Sequence, residues 1–211
     1  MKNIHMTVLA TTFLFLMSNM SFAQFIKVGV GGGITQVLAP EIFTKDISDE
    51  GYGFSTEWNA GVVGKVDLPL IPFTPRAFIL YHNLAGSEEF ETTGEEQSSI
   101  LEYRQTIFEF GVGAQYNFIP APLGFDPYLA LDISFNSFGD FSKTNDISEE
   151  KTDGFNRFGG GIGVGTEISI IPVVNLDLYL SYKMFNLIGK EGDEKSTSAV
   201  TLDLFVIFNF L

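Results

Sequence analysis

The chain has 211 residues, no cysteine, 22 glycines and 22 phenylalanines, and its 26 acids against 12 bases give a net charge of −14. The missing cysteine excludes a disulfide scaffold, a thiolate zinc site and a lipidated cysteine anchor, and the acid excess excludes nucleic acid as a partner, because phosphate contacts need a basic face. A mean hydropathy of +0.19 beside that charge requires the apolar and acidic residues to be segregated along the chain.

Residues 1–23 read as a secretory signal peptide. Lys2 supplies the basic start, Val8 to Met17 is a short apolar run, and Ser21-Phe22-Ala23 places small residues at −3 and −1 before cleavage at Gln24. The apolar run is too short to span a bilayer, which takes roughly 20 residues. Cleavage removes Lys2 and no acid, leaving 26 acids against 11 bases, or −15. No later stretch is long and apolar enough for a membrane helix, so membrane residence of residues 24–211 has to come from strands.

From Gln24 onward the period is two, the strand signature. In Phe25 to Ile34 the apolar positions are Ile26, Val28, Val30 and Ile34. Trp58 to Leu68 sets Trp58, Ala60, Val62 and Val66 against Asn59, Gly61, Lys65 and Asp67. Arg76 to Leu84 alternates less cleanly, with Ala77, Ile79 and Tyr81 on the apolar side. Thr106 to Phe118 sets Phe108, Phe110, Val112 and Ala114 against Glu109, Gly111, Gly113 and Gln115. Pro127 to Phe135 sets Leu129, Leu131 and Ile133 against Tyr128, Asp132 and Ser134. Phe158 to Ile170, Leu176 to Met184 and Val200 to Phe210 repeat the pattern. The expectation is eight strands.

Their connections alternate. Short, apolar, proline-bearing turns follow the second, fourth and sixth strands: Leu68-Pro69-Leu70-Ile71-Pro72, Ile119 to Gly124, and Ile171-Pro172-Val173-Val174. Long polar loops follow the others, near 35–54, 85–99, 139–155 and 188–197, and hold 17 of the 26 acids. A GxG-type strand leading through a proline turn recurs at Gly61 to Ala77, Gly111 to Leu129 and Gly163 to Leu178. Such a repeat describes an up-and-down antiparallel meander, which closes most simply as an eight-stranded barrel without open edges.

Alternation leaves open which face is outside. A secreted, lipocalin-like soluble barrel would turn the apolar face inward around a ligand. A membrane barrel turns it toward lipid. The polar face is rich in glycine, alanine and serine, which suits a narrow interior. Aromatics gather at strand ends: Phe73, Tyr116, Phe118, Phe125 and Phe210 by the short turns, and Phe54, Trp58, Phe135, Phe138, Phe155 and Phe158 by the long loops. These features favour an all-β transmembrane barrel with short periplasmic turns and long extracellular loops.

The signal peptide, the GxG hairpins and the aromatic last strand Ile207-Phe208-Asn209-Phe210-Leu211 resemble the small outer membrane barrels, of the type of outer membrane protein A's transmembrane domain and the outer membrane protein beta-barrel domains. The usual terminal Phe is Leu211 here. The resemblance implies residence among outer membrane lipid and lipopolysaccharide as a monomer, and a structural, surface-interaction or narrow-pore role. Because the chain stops at its last strand, no peptidoglycan-binding domain is expected.

On this register the interior holds Lys27, Lys65, Arg76, Arg157 and Lys183 against Glu57, Asp67, Glu109, Asp132, Glu167, Asp177 and Asp203. Mixed charges in a narrow lumen pair into a network, because an unpaired buried charge is costly. No cofactor, metal motif or catalytic constellation is expected. His82, the one histidine after the leader, lacks the motif of a lipid A-modifying enzyme and reads as an ordinary strand residue. Gly159 to Gly163 opens no helix and is no phosphate loop. The acidic loops offer a place for divalent cations or a surface partner.

Overall fold

A computed structural model of the protein describes residues 25–68, 71–91, 98–118, 124–145 and 147–210. The leader at 1–23, Glu95 and Glu96, the turn residues Pro69, Leu70 and Ile119 to Leu123, and Leu211 lie outside the described residues. The period-two segments form strands β1 (Phe25–Ala39), β2 (Thr56–Asp67), β3 (Phe73–Glu91), β4 (Ser98–Asn117), β5 (Phe125–Phe138), β6 (Phe141–Thr144), β7 (Glu149–Thr152), β8 (Phe155–Ile171), β9 (Val174–Ile188) and β10 (Ser198–Phe210). A one-turn helix α1 (Glu41–Thr44) and a 3-10 turn (Ile47–Asp49) lie between β1 and β2.

Eight of these strands close an antiparallel barrel, β1 pairing with both β2 and β10. Following paired residues around it, Lys27 meets Lys65, then Arg76, Gly113, Asp132, Gly161, Lys183 and Ala199, and the circuit returns to β1 at Val37. The stagger from 27 to 37 is a shear of ten residues, which for eight strands tilts them about 40° from the barrel axis.

The expected eight strands are joined by two more. Beyond Thr106, whose carbonyl accepts from the Gly139 amide, β4 leaves β5 and takes β6 as its neighbour through Glu102–Thr144, Tyr103–Lys143 and Arg104–Ser142. Strand β7 then pairs with β6. Strands β3 and β4 pair as far as Glu91 and Ser98, so much of the segment expected as a polar loop at 85–99 is strand.

The side-chain faces settle the orientation of the barrel. Outward positions are apolar and open, with Val30 55% exposed, Leu131 63% and Ile133 64%. Inward positions hold Lys65, Glu109, Asp177, Lys183 and Asp203, all buried. A soluble barrel of lipocalin type would show the reverse. Two aromatic bands border the apolar face, as at membrane interfaces. Toward the long loops Trp58, Tyr81 and Phe108 run side by side at 5.5 and 5.7 Å, and Phe135 meets Phe158 at 5.5 Å. Toward the short turns Phe73, Tyr116 and Phe118 do the same at 5.1 and 5.6 Å. Phe54, Phe138 and Phe155, expected in the outer band, turn inward instead: Phe54 and Phe138 are buried, and Phe155 stacks on Phe138 at 4.5 Å. Inside, Gly111 and Gly165 lie directly beneath the rings of Phe78 and Tyr128, where a Cβ would collide with the ring.

Candidate functional site: a layered lumen

The lumen is built in layers because β2 and β3 present their inward residues in matched order. From the short-turn end β2 offers Asp67, Lys65, Val63, Gly61 and Asn59. Opposite them β3 offers Arg76 beside Lys65, Phe78 beside Val63, Leu80 beside Gly61 and His82 beside Asn59. Charged, apolar and uncharged polar side chains thus succeed one another along the axis on these two strands.

The layer nearest the short turns is ionic. Lys27 Nζ bridges Asp67 Oδ2 at 2.7 Å and Glu167 Oε1 at 2.6 Å. Lys65 Nζ bridges Asp177 Oδ2 at 2.7 Å and Glu167 Oε2 at 3.3 Å. Tyr128 donates to Asp177 Oδ1 at 2.7 Å, and Asn175 donates to Glu167 at 2.5 Å. Beside this cluster Arg76 faces Asp132 at 3.3 Å and lies 4.2 Å over the ring of Tyr179, whose hydroxyl donates to Asp132 Oδ2 at 2.9 Å. Above comes an apolar layer of Val63, Phe78, Leu80, Phe205 and Ile207.

The next layer is a polar row. Lys183 Nζ donates to Glu109 Oε2 at 2.5 Å. His82 lies 3.1 Å from the same oxygen through Nε2 and 2.9 Å from Thr35 Oγ1 through Nδ1. Asn59 donates to Thr35 Oγ1 at 3.1 Å and to Asp203 Oδ1 at 2.8 Å. Thr201 donates to Asp203 Oδ2 at 2.9 Å and meets Ser181 at 2.8 Å. One direction satisfies the left half throughout: the Asn59 amide donates to Thr35, the Thr35 hydroxyl to Nδ1, and Nε2–H to Glu109. The order hydroxyl, imidazole, carboxylate is that of an activated nucleophile, but Thr35 and His82 have no exposed surface. Enclosed in this way, the row braces β1, β2, β3, β4, β9 and β10 against one another.

Over this row sits an apolar cap of Val37, Phe54, Leu84, Ile107, Phe138, Phe185 and Ala199, with Phe43, Tyr52, Tyr103, Phe141 and Phe155 packed on it. The segment between β1 and β2 folds across the outer mouth to supply it: the Phe54 and Tyr52 amides donate to the carbonyls of Phe43 and Ile42, and the Ser48 amide donates to Glu88 at 2.8 Å.

Of the residues expected inside, Lys27, Lys65, Arg76, Asp132 and Glu167 meet in the inner layer with Asp67 and Asp177, and Glu109, Lys183 and Asp203 meet in the outer one. Glu57 is half-buried on β2, opposite Thr35. Arg157 stands apart. It lies at the loop end of β8 and reaches outward, with Nη2 2.7 Å from Glu194 and Nη1 3.7 Å from Glu191. Asp203 is held by Asn59 and Thr201 rather than by a cation. Thr35, Asn59, Asn175, Ser181 and Thr201 are not among the expected site residues, and His82, expected to be an ordinary strand residue, is a buried member of the outer row. Their inward parity was the available signal, obscured on β3 by the inward apolar Phe78, Leu80 and Leu84. Among the described residues no three His, Asp or Glu side chains converge on a metal-sized site.

The Arg157 contact staples the last outer loop. Burial opposes charge on Glu194, yet hydrogen bonds from Arg157 and Asn186 outweigh it and hold this carboxyl below the usual carboxylate range. A carboxyl depressed in the folded state stabilises above its unfolded value and loses that contribution as pH falls through its folded value. Acidification below about pH 4 is therefore expected to loosen residues 189–197 before the barrel opens. Amide exchange of that loop as a function of pH checks this; protection that is flat down to acid would contradict the staple.

A closed antiparallel barrel with an apolar belt, two aromatic bands and a polar, ion-paired lumen is an integral membrane barrel. The family model of the outer membrane protein beta-barrel domain matches residues 19–189. The chain belongs to that family. Among solved structures it is similar to Neisserial surface protein A, with 15% identity, TM-score 0.53, and 89% of this chain and 97% of that one covered. It is also similar to a major outer membrane protein from Thermus thermophilus, with 15% identity, TM-score 0.55, and 90% and 100% covered. A third similar structure is Ail, the attachment invasion locus protein of Yersinia pestis, solved with the heparin analogue sucrose octasulfate, with 9% identity, TM-score 0.53, and 90% and 100% covered. No curated protein matches the chain.

Proposed function

We propose that the protein is a sealed outer membrane barrel that holds an ordered acidic platform at the cell surface, with a structural and surface-interaction role rather than a conducting one. The observation that carries this reading is the apolar cap over the lumen, together with the apolar layer around Phe78 and Phe205 beneath it. An ion crossing two apolar layers would lose water without gaining a partner, which is costly. The burial of His82 likewise keeps it from any lipid substrate and counts against a lipid A-modifying reaction.

The platform is the outward extension of β3 and β4, widened by β6 and β7. Its base is an aromatic cluster in which Tyr52 meets Tyr103 at 5.0 Å and Phe141 at 4.7 Å. The Yersinia protein was solved with a polyanion; here the outer loops hold most of the acids, so the matching partner is cationic, either a basic surface or divalent cations bridging lipopolysaccharide phosphates. In this reading the leader at 1–23 is cleaved on export and the barrel sits as a monomer in lipid.

Planar-bilayer recording of the refolded chain tests the seal. The expected result is no discrete current steps. Steps that change when Lys183 is replaced by Met would assign conduction to the lumen and overturn the proposal.

A further inference from the structure

The three short turns are apolar where the solvated end of a barrel would ordinarily be polar. In the turn between β8 and β9, Ile170, Ile171 and Val173 are each about half exposed. This turn does not hang free. The Asn209 amide donates to the Val173 carbonyl at 3.0 Å, and the Asn209 side chain donates to the Pro172 carbonyl at 3.3 Å, so β10 fastens the turn at the inner mouth. Between the turn and the ends of β1 and β2 lies an open vestibule of about 620 Å³, with Lys27, Asp67 and Asn209 on one side and Ile171 and Val173 on the other.

Its polar wall is incompletely satisfied. Two of the three N–H groups on Lys27 are used by Asp67 and Glu167, leaving one donor. Asn209 Oδ1 is buried without a hydrogen-bond partner, and the Asp67 side chain keeps 31% of its surface exposed. Charge is unbalanced as well: Lys27 and Lys65 face Asp67, Glu167, Asp177 and Asp126, which pairs across the strands with Glu167. That is two ammonium groups against four carboxylates, so the mouth attracts a cation and repels an anion.

We propose that this vestibule binds the headgroup of an inner-leaflet phospholipid of the ethanolamine class. The ammonium lies toward Asp67, the phosphate takes the remaining donor of Lys27, and the acyl chains leave over Ile171 and Val173 onto the apolar belt. An anionic headgroup lacks the ammonium and meets the acid excess. A water-soluble ammonium compound leaves the apolar wall of the turn without a partner.

Native mass spectrometry of the refolded barrel, titrated with phosphatidylethanolamine or phosphatidylglycerol of identical chains, tests this. The expected result is one retained phosphatidylethanolamine, at a concentration about tenfold below that needed for phosphatidylglycerol, the size of one charge-assisted contact. Asp67→Asn weakens retention by a similar factor. Val173→Asn alters the apolar wall, keeps the backbone carbonyl that Asn209 uses and leaves the ion pairs untouched, and it weakens retention while heat-modifiable migration on SDS gels shows the barrel still folded. Equal retention of the two lipids, or unchanged retention in folded Val173→Asn, overturns the site.

Discussion

Replacing Lys65 by Met is expected to destabilise the barrel by about 3–5 kcal/mol, the cost of leaving a buried charge without its partner. The Lys65 side chain has no exposed surface and is the cation between Glu167 and Asp177; without it those carboxylates confront each other with only Lys27, Asn175 and Tyr128 as donors. Met matches the stem of lysine, so packing changes little and the effect is electrostatic. The urea midpoint for loss of the fast-migrating folded band in micelles measures it. The triple change Lys65→Met, Glu167→Gln and Asp177→Asn is expected to recover much of the loss, because an apolar or neutral replacement of a whole buried network is close to neutral. A cost for Lys65→Met of less than about 1 kcal/mol, the worth of an exposed pair, would mean that water fills the lumen and screens these charges.

Leu131→Arg probes the opposite face. Leu131 is 63% exposed, and on a water-facing surface the change would be nearly silent. Midway along β5, between Phe125 and Phe135, it faces hydrocarbon instead, where an arginine costs about 2–4 kcal/mol. Refolding yield and urea stability in lipid vesicles give the measurement. An unchanged midpoint would place this belt in water. The two substitutions form a pair: a charge removed from the inside and a charge added to the outside both destabilise, the inverse of what a soluble globular core obeys.

The membrane-spanning strands were legible because each is constrained on both faces at once. In Phe108 to Ala114, lipid demands Phe108, Phe110 and Val112 outside while the narrow lumen admits Glu109, Gly111 and Gly113 inside, so the period of two is written strongly. The constraint ends at the membrane surface. Beyond it β3 and β4 stay paired through Glu88-Glu89 and Leu101-Glu102, and β6 and β7, Phe-Ser-Lys-Thr and Glu-Glu-Lys-Thr, carry no alternation that separates them from a solvated loop. The charged lumen residues followed from parity. What parity could not supply was height: Arg157 has inward parity but stands at the outer end of its strand, where a long side chain reaches Glu194 in a loop rather than the lumen. His82 and Asn59 were obscure for a different reason, since neither residue type announces a network until the strands that surround it are in register.

The lumen contacts join residues far apart in the chain: Asn59 to Asp203 spans 144 positions and Lys27 to Glu167 spans 140. None of these bonds can form in an open sheet, because each crosses the interior that exists only after β1 has met β10. Until then the incomplete barrel exposes carboxylates and ammonium groups along its concave side, and the partners that lie across the interior are met late and together. Folding of this chain is therefore governed by non-local contacts, which makes it slow, and the seam between its first and last strands acts as an all-or-none latch: a half-inserted barrel has little to hold it, and a closed one is locked from within.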